Sequence, residues 1–265
     1  MPNAYWETRL TKTSPDGIWI RGYDLLELIG RMPYPSVLYL LFKGDLPEPK
    51  VARLIDACMV ACIDHGAGAP SALAARTATS GGASLGAAGA AGLLTLGQYH
   101  GAVIDDSVTA MHRVVELHQA DGSTGSLSNS AELVVAEWRR EGRRISGFGH
   151  RQHKERDPRV ERLFALAREA DVSGRFVQAA FALERALESA LGKPLPLNID
   201  GATAAIFCEI DFPPELANAV FMVARLAGIL AHAQEEKITM PPMRRIDPVE
   251  HGYSGPANRH LELDP

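Results

Sequence analysis

Apolar positions recur at three- and four-residue spacing along most of this chain, after a short opening with a different rhythm. That opening, WETRLTKTSPDGIWIRG, holds two short alternating runs around a Pro-Asp-Gly turn and predicts a small hairpin. From Asp24 the spacing becomes helical. YDLLELIGRM and SVLYLLFKG read as short apolar helices, the second closed by Gly44 with Pro47 and Pro49 beyond it. PKVARLIDACMVACIDHG starts at a proline, carries an apolar stripe and stops at Gly66. Helices are predicted next at 70–79, 84–97 and 102–119, then a loop over Ala120 to Ser130, then a helix ending in EWRREGRR. Further helices fall at 158–170, 174–191, 200–210 and 214–236, with GKPLPLN as a break and an irregular, Pro-rich tail. Strands are scarce, so the fold class is all-α, with no internal repeat.

Composition narrows this picture. The chain is 265 residues long, 46% hydrophobic and 22% charged, enough to bury a core as one large domain or two modest ones. Aromatics are only 6% while Ala and Gly abound, which favours closely packed helices. Small residues dominate 80–92, and each Gly inside a helix costs about 1 kcal/mol relative to Ala. Close helix approach offsets that cost, either in the core or between subunits. The net charge of -5 argues against nucleic acid as a partner. No stretch reads as a secretory signal, and ASLGAAGAAGLLTLG is too short and Gly-rich to span a bilayer, so a cytoplasmic protein without membrane contact is expected. Cys58, Cys62 and Cys208 form no metal or disulfide framework; Cys58 and Cys62 share one helix face and read as small buried side chains.

Five places combine His, Asp or Arg with a turn or an apolar helix. His65 lies in IDHGAGAPS, His100 in GQYHGA, and His150, Lys154 and Arg159 in GFGHRQHKERDPR. Asp200 lies in LPLNIDGA and Arg225 in VARLAG. Each has a plain structural explanation. His65 suits a helix C-terminus, Asp200 suits an N-cap, and Arg225 suits a carboxylate partner elsewhere. Taken together they suit proton abstraction beside a carbonyl: an aspartate takes the proton while neutral histidines hydrogen-bond oxygens where negative charge grows. Arginines fork onto carboxylates, and the cations beside the Gly-Phe-Gly turn suit phosphates. His150, His153 and Asp157 alone have close spacing, and no metal site is expected.

GFGHRQHKERDPR resembles the Gly-x-Gly-His…Asp-Pro-Arg signature of the citrate synthase superfamily. DHG, YHGA, NID and ARLAG follow that family's order, as does RGYDLLELIGRMPYPSVLYLLFKGDLP near the start. The resemblance implies an all-α homodimer with a large domain, 1–101 plus 214–265, and a small one, 102–213, that closes over substrates. It implies that His100 hydrogen-bonds the acetyl-CoA thioester oxygen, that Asp200 removes the methyl proton, and that His150 polarises the oxaloacetate carbonyl. His65, Arg159 and Arg225 would hold carboxylates. Lys154 would contact CoA, and Gly147, Phe148 and Gly149 would line its adenine. No cofactor is implied beyond the CoA thioester substrate.

Two departures separate members of that family. A block of helices that full synthases carry before DHG is missing here, and NIDG reads like the lyase NVDG. The compact form therefore resembles the citryl-CoA lyase type, also the C-terminal module of ATP-citrate lyase, with a separate citryl-CoA synthetase as a possible partner. In addition, Met240 takes the place of an arginine that reaches the partner subunit's site, with Arg244 and Arg245 nearby. The alternatives are a short citrate synthase or 2-methylcitrate-type synthase, and a non-catalytic subunit that binds CoA or a carboxylate.

Overall fold

The computed structural model describes residues 7–101, 104–122, 126–150, 153–245, 252–257 and 259. The hairpin forms as the alternation predicts. Strands β1 (Thr11–Ser14) and β2 (Gly17–Ile20) pair antiparallel with Ser14 opposite Gly17, and β3 (Tyr23–Asp24) pairs with β2. Arg21, at φ 50°, turns the chain between β2 and β3, and its guanidinium donates to Leu41 O at 2.8 Å. The helix expected from YDLLELIGRM is a correction. Tyr23 and Asp24 belong to the sheet, and helix α1 (Leu25–Leu28) is a single turn. Asp24 caps it by accepting from Leu26 N at 2.9 Å; Gly30, at φ 76°, and Pro33 stop it from growing.

The remaining helices follow the predicted spacing, each bounded by local chemistry. Helix α2 (Tyr34–Lys43) ends at Gly44, left-handed at φ 97°. Helices α3 (Pro49–Cys62), α4 (Pro70–Ser80) and α8 (Pro158–Glu169) all open on proline, whose fixed φ suits a first turn. Ser84 caps α5 (Leu85–Leu94), which ends short of the expected residue 97. Helix α6 (Ile104–Ala120) begins just past residues 102–103, which lie outside the described set, as do 123–125 of the expected loop. Ser126 caps α7 (Leu127–Arg140); α9 (Arg175–Leu191), α10 (Ile199–Glu209) and α11 (Pro214–Thr239) complete the fold.

The largest cluster of buried side chains joins α2 and α3 to α6–α10 and the first half of α11. A smaller one joins α4 and α5 to the second half of α11 through Ala75, Ala88, Ile229 and Ala233. The larger core thus spans both sides of the domain boundary expected near residue 102. Two glycines of the small-residue stretch serve this packing. A Cβ at Gly89 would lie 2.9 Å from Leu230, and one at Gly92 would lie 2.5 Å from Ile229 and 2.9 Å from Ser71 O. Gly86 faces open space. The longest apolar helix is α11, long and apolar enough to cross a membrane by length and composition. It packs on α3, α4, α5 and α6 and buries Arg225, as a core helix does. All three cysteines are free and buried; burial pushes the Cys62 thiol up to about 12.

Candidate active site

Segments far apart in the chain converge on a cavity of about 530 Å³. His65 comes from the segment after α3, His100 from the segment after α5, and Gly149 and His150 from the turn before α8. Arg159 lies in the first turn of α8, Asp200 in that of α10, and Arg225 in mid-α11.

His100 is held by paired backbone hydrogen bonds with Gly97, at 2.9 and 3.2 Å. Its Nε2 lies 3.1 Å from Ser71 N and 3.0 Å from Ser71 Oγ, at the start of α4. A backbone N–H can only donate, so Nε2 accepts and the neutral ring carries its proton on Nδ1. Gly101 follows at φ 62°, where a Cβ would meet the Phe221 ring at 2.8 Å.

The Gly-Phe-Gly turn has an internal reason for its composition. Gly147, at φ 87°, lies against α10, where a Cβ would sit 2.7 Å from Gly201 Cα. Phe148 is buried in the core and its backbone bridges to Leu197; Gly149 N donates to Pro196 O at 2.6 Å. The turn thereby delivers His150, whose Nδ1 accepts from His153 N at 3.0 Å. The His153 ring stacks on it at 4.5 Å, and His65 meets it edge-on at 5.1 Å. Burial, then His153, His65 and Arg159, hold the His150 imidazole below its usual range. Burial, Arg159 and Arg225 lower His65 in the same way.

Asp200 is not the cap of α10. That role belongs to Asn198, whose Oδ1 accepts from Asp200 N at 2.9 Å and Gly201 N at 3.3 Å, while Nδ2 donates to Gly149 O at 2.8 Å. The Asp200 carboxylate is left for other work. Its Oδ1 is shut off from solvent and has no hydrogen-bond partner among the described residues. Burial raises its pKa against the pull of Arg225 and Arg159. A buried, unsatisfied carboxyl in a cavity is costly unless a ligand or a reaction uses it.

The two arginines are anchored differently. Arg159 forks onto Asp157, Nε to Oδ1 at 2.9 Å and Nη2 to Oδ2 at 2.7 Å, and its Nη2 lies 3.5 Å from His150 Nε2. Arg225 is buried, donates from Nε to Cys62 O at 2.7 Å, and lies over the Phe221 ring. Among the described residues no carboxylate pairs with it at ion-pair distance, while Asp200 and Asp64 act on its charge at longer range. Asp157 spends its oxygens on Arg159, and no group of three His, Cys, Asp or Glu among the described residues is arranged to hold a metal. Lys154 is exposed, its Nζ 3.1 Å from His150 O, and with Gly147 and Phe148 it does not line the cavity.

Residues 47–246 match the family described as "Citrate synthase, C-terminal domain". The chain belongs to the citrate synthase family. It is similar to the glyoxysomal citrate synthase of Cucurbita maxima, 30% identical over 81% of this chain and 40% of that protein. It is also similar to ATP-citrate synthase beta chain protein 2 of Arabidopsis thaliana, 29% identical over 78% of this chain and 34% of that one. The chain spans about half or less of the length of these curated relatives. Among solved structures, that of citryl-CoA lyase from Hydrogenobacter thermophilus is 35% identical, with a TM-score of 0.85 over 98% of both chains.

Three residues of this citrate synthase-family site were not singled out in the sequence for the parts they play. Ser71 orients His100, Asp157 holds Arg159, and Asn198 ties α10 to the Gly149 turn. The N-cap patterns Asp-Pro-Arg and Asn-Ile-Asp carry a signal for the last two; Ser71 acts partly through its backbone and leaves none. Met240 ends α11, and Arg244 donates to Glu236, which is buried between Arg244 and Arg76 at 2.7 Å from each.

Proposed function

We propose that this chain is a citryl-CoA lyase, cleaving citryl-CoA into acetyl-CoA and oxaloacetate. The observation that carries the reading is the end-to-end likeness, over 98% of both chains, to the structure described as citryl-CoA lyase. The cavity supports it. Arg225, Arg159 and His65 suit the substrate's carboxylates. As the carbon–carbon bond breaks and the ketone forms, His150, its Nδ1 accepting from His153 N, holds the ketone oxygen through Nε2–H, and the hydroxyl proton leaves to solvent. Bond electrons move into the thioester, whose oxygen His100 Nδ1–H stabilises, and Asp200 in its protonated form, which burial favours, delivers its proton to the enol carbon. Condensation runs the same steps in reverse.

The reading extends to a cytoplasmic homodimer whose small domain, 102–213, closes over CoA held by Lys154 and the 147–149 turn. A separate synthetase would supply citryl-CoA. The exposed small face of α5, with Leu85, Gly86, Ala87 and Leu94, suits a partner subunit. The test is oxaloacetate release from synthetic citryl-CoA, run beside free CoA release from acetyl-CoA plus oxaloacetate. Rapid cleavage of citryl-CoA supports the lyase; absence of cleavage overturns it. Net CoA release from acetyl-CoA favours the second reading, a short citrate synthase, for which the 30% identity to the Cucurbita enzyme speaks.

A further inference from the structure

Two motifs of the site contain residues that the proposed chemistry does not use. Asp64 precedes His65 yet does not line the cavity, and Gly228 and His232 follow Arg225 on α11. These residues meet. Asp64 Oδ1 lies 3.0 Å from His232 Nε2, and Asp64 Oδ2 accepts from Gly66 N at 3.0 Å, where the chain turns at φ 82°. Between them Gly228 lets α11 approach: a Cβ there would strike Ile63 O and sit 3.0 Å from Asp64 Oδ1. One turn earlier, Arg225 Nε reaches Cys62 O. Residues 225, 228 and 232 lie on one face of α11, so successive turns grip the 62–64 segment just before it delivers His65.

We infer that Asp64 is a positioning residue: tethered to His232 across Gly228, it fixes His65, and through their edge-on contact His150, on the carboxylate-binding wall. The inference rests on the functional reading only in taking that wall as the oxo-acid side. Burial would raise the Asp64 carboxyl, but hydrogen bonds from Gly66 and His65 and the neighbouring His232 outweigh it, so the group stays ionised. A rival account treats Asp64 as a mere negative charge near the wall. The two accounts differ in sign. Removing a negative charge strengthens binding of an anionic acid, whereas releasing His65 weakens it.

Titration calorimetry with oxaloacetate and, separately, CoA decides between them in wild type, Asp64→Ala, Asp64→Asn and His232→Ala. Positioning predicts that Asp64→Ala and His232→Ala weaken oxaloacetate binding by about 10- to 10²-fold and leave CoA binding within about twofold. Asp64→Asn keeps an oxygen for Gly66 N and offers its Nδ2–H to His232 Nε2, so the tether survives without the charge and oxaloacetate binds at least as tightly as to wild type. Unchanged or tighter binding by Asp64→Ala, or equal losses for both ligands, overturns the inference. His232→Ala keeps the test decisive if Asp64→Ala does not fold. Wild-type protein that binds neither ligand refutes the functional reading itself, and with it the role of this tether.

Discussion

Replacing Asp157 by alanine removes one carboxylate that serves two structural purposes. Its side chain is shut off from solvent and accepts from Arg159 at three points: backbone N at 3.1 Å, Nε at 2.9 Å and Nη2 at 2.7 Å. Loss of the N-cap of α8 costs about 1 kcal/mol. Loss of charge-assisted hydrogen bonds adds about 1.5–3 kcal/mol. Arg159 keeps 24% of its side chain exposed and can turn to water, so the larger penalty of a fully buried broken pair does not apply. The expected total is about 3 kcal/mol, or about 6–12 °C in Tm for a chain of this size. The loss depends on pH with a definite sign. Burial would raise the Asp157 carboxyl, but Arg159 outweighs it and the net direction is down. Its stabilisation is complete above the unfolded value of about 3.9 and is lost as pH falls through the lower folded value. Calorimetric melts of both proteins from pH 7 to pH 3 check this. A Tm loss below about 2 °C at pH 7, or a difference that does not narrow in acid, refutes the reasoning.

Other expectations follow from the same geometry. Gly92→Ala drives a methyl into Ile229 and the backbone at Ser71, and lowers stability by about 1–3 kcal/mol in denaturant titrations. Glu236→Ala leaves Arg76 and Arg244 without their shared carboxylate and frees the segment after α11, so limited trypsin digestion there accelerates. Burial lowers His65 and His150, so both rings lose their protons at a lower pH than a free imidazole does. The acid-side break that these rings set in the pH profile of kcat/KM therefore falls below the ordinary imidazole value of about 6.5.

Much of the fold was legible because local signals agree with tertiary need. Pro70, Pro158, Pro214 and Gly44 punctuate the helical stripes within a residue or two of the observed ends. The exception, 23–32, has helical spacing but too few residues before Gly30 and Pro33 to sustain more than one turn, and strand pairing claimed Tyr23 and Asp24. The site was legible as a set of residue types in glycine-bounded turns, and the family resemblance supplied their order. What spacing could not reveal is side-chain partnership across the fold. Asp200 read equally well as a helix cap until Asn198 took that place. Nothing in VARLAG disclosed that Arg225 would meet a backbone carbonyl in place of a carboxylate.

The central claim is that Asp200 exchanges a proton with the methyl carbon of acetyl-CoA while His100 and His150 hold the flanking oxygens. Deuterium incorporation into acetyl-CoA in heavy water, with oxaloacetate present, measures that step alone. Wild-type protein is expected to exchange the methyl hydrogens, and Asp200→Asn to slow exchange by about 10²- to 10⁴-fold while still binding CoA. Exchange at the wild-type rate in Asp200→Asn contradicts the account.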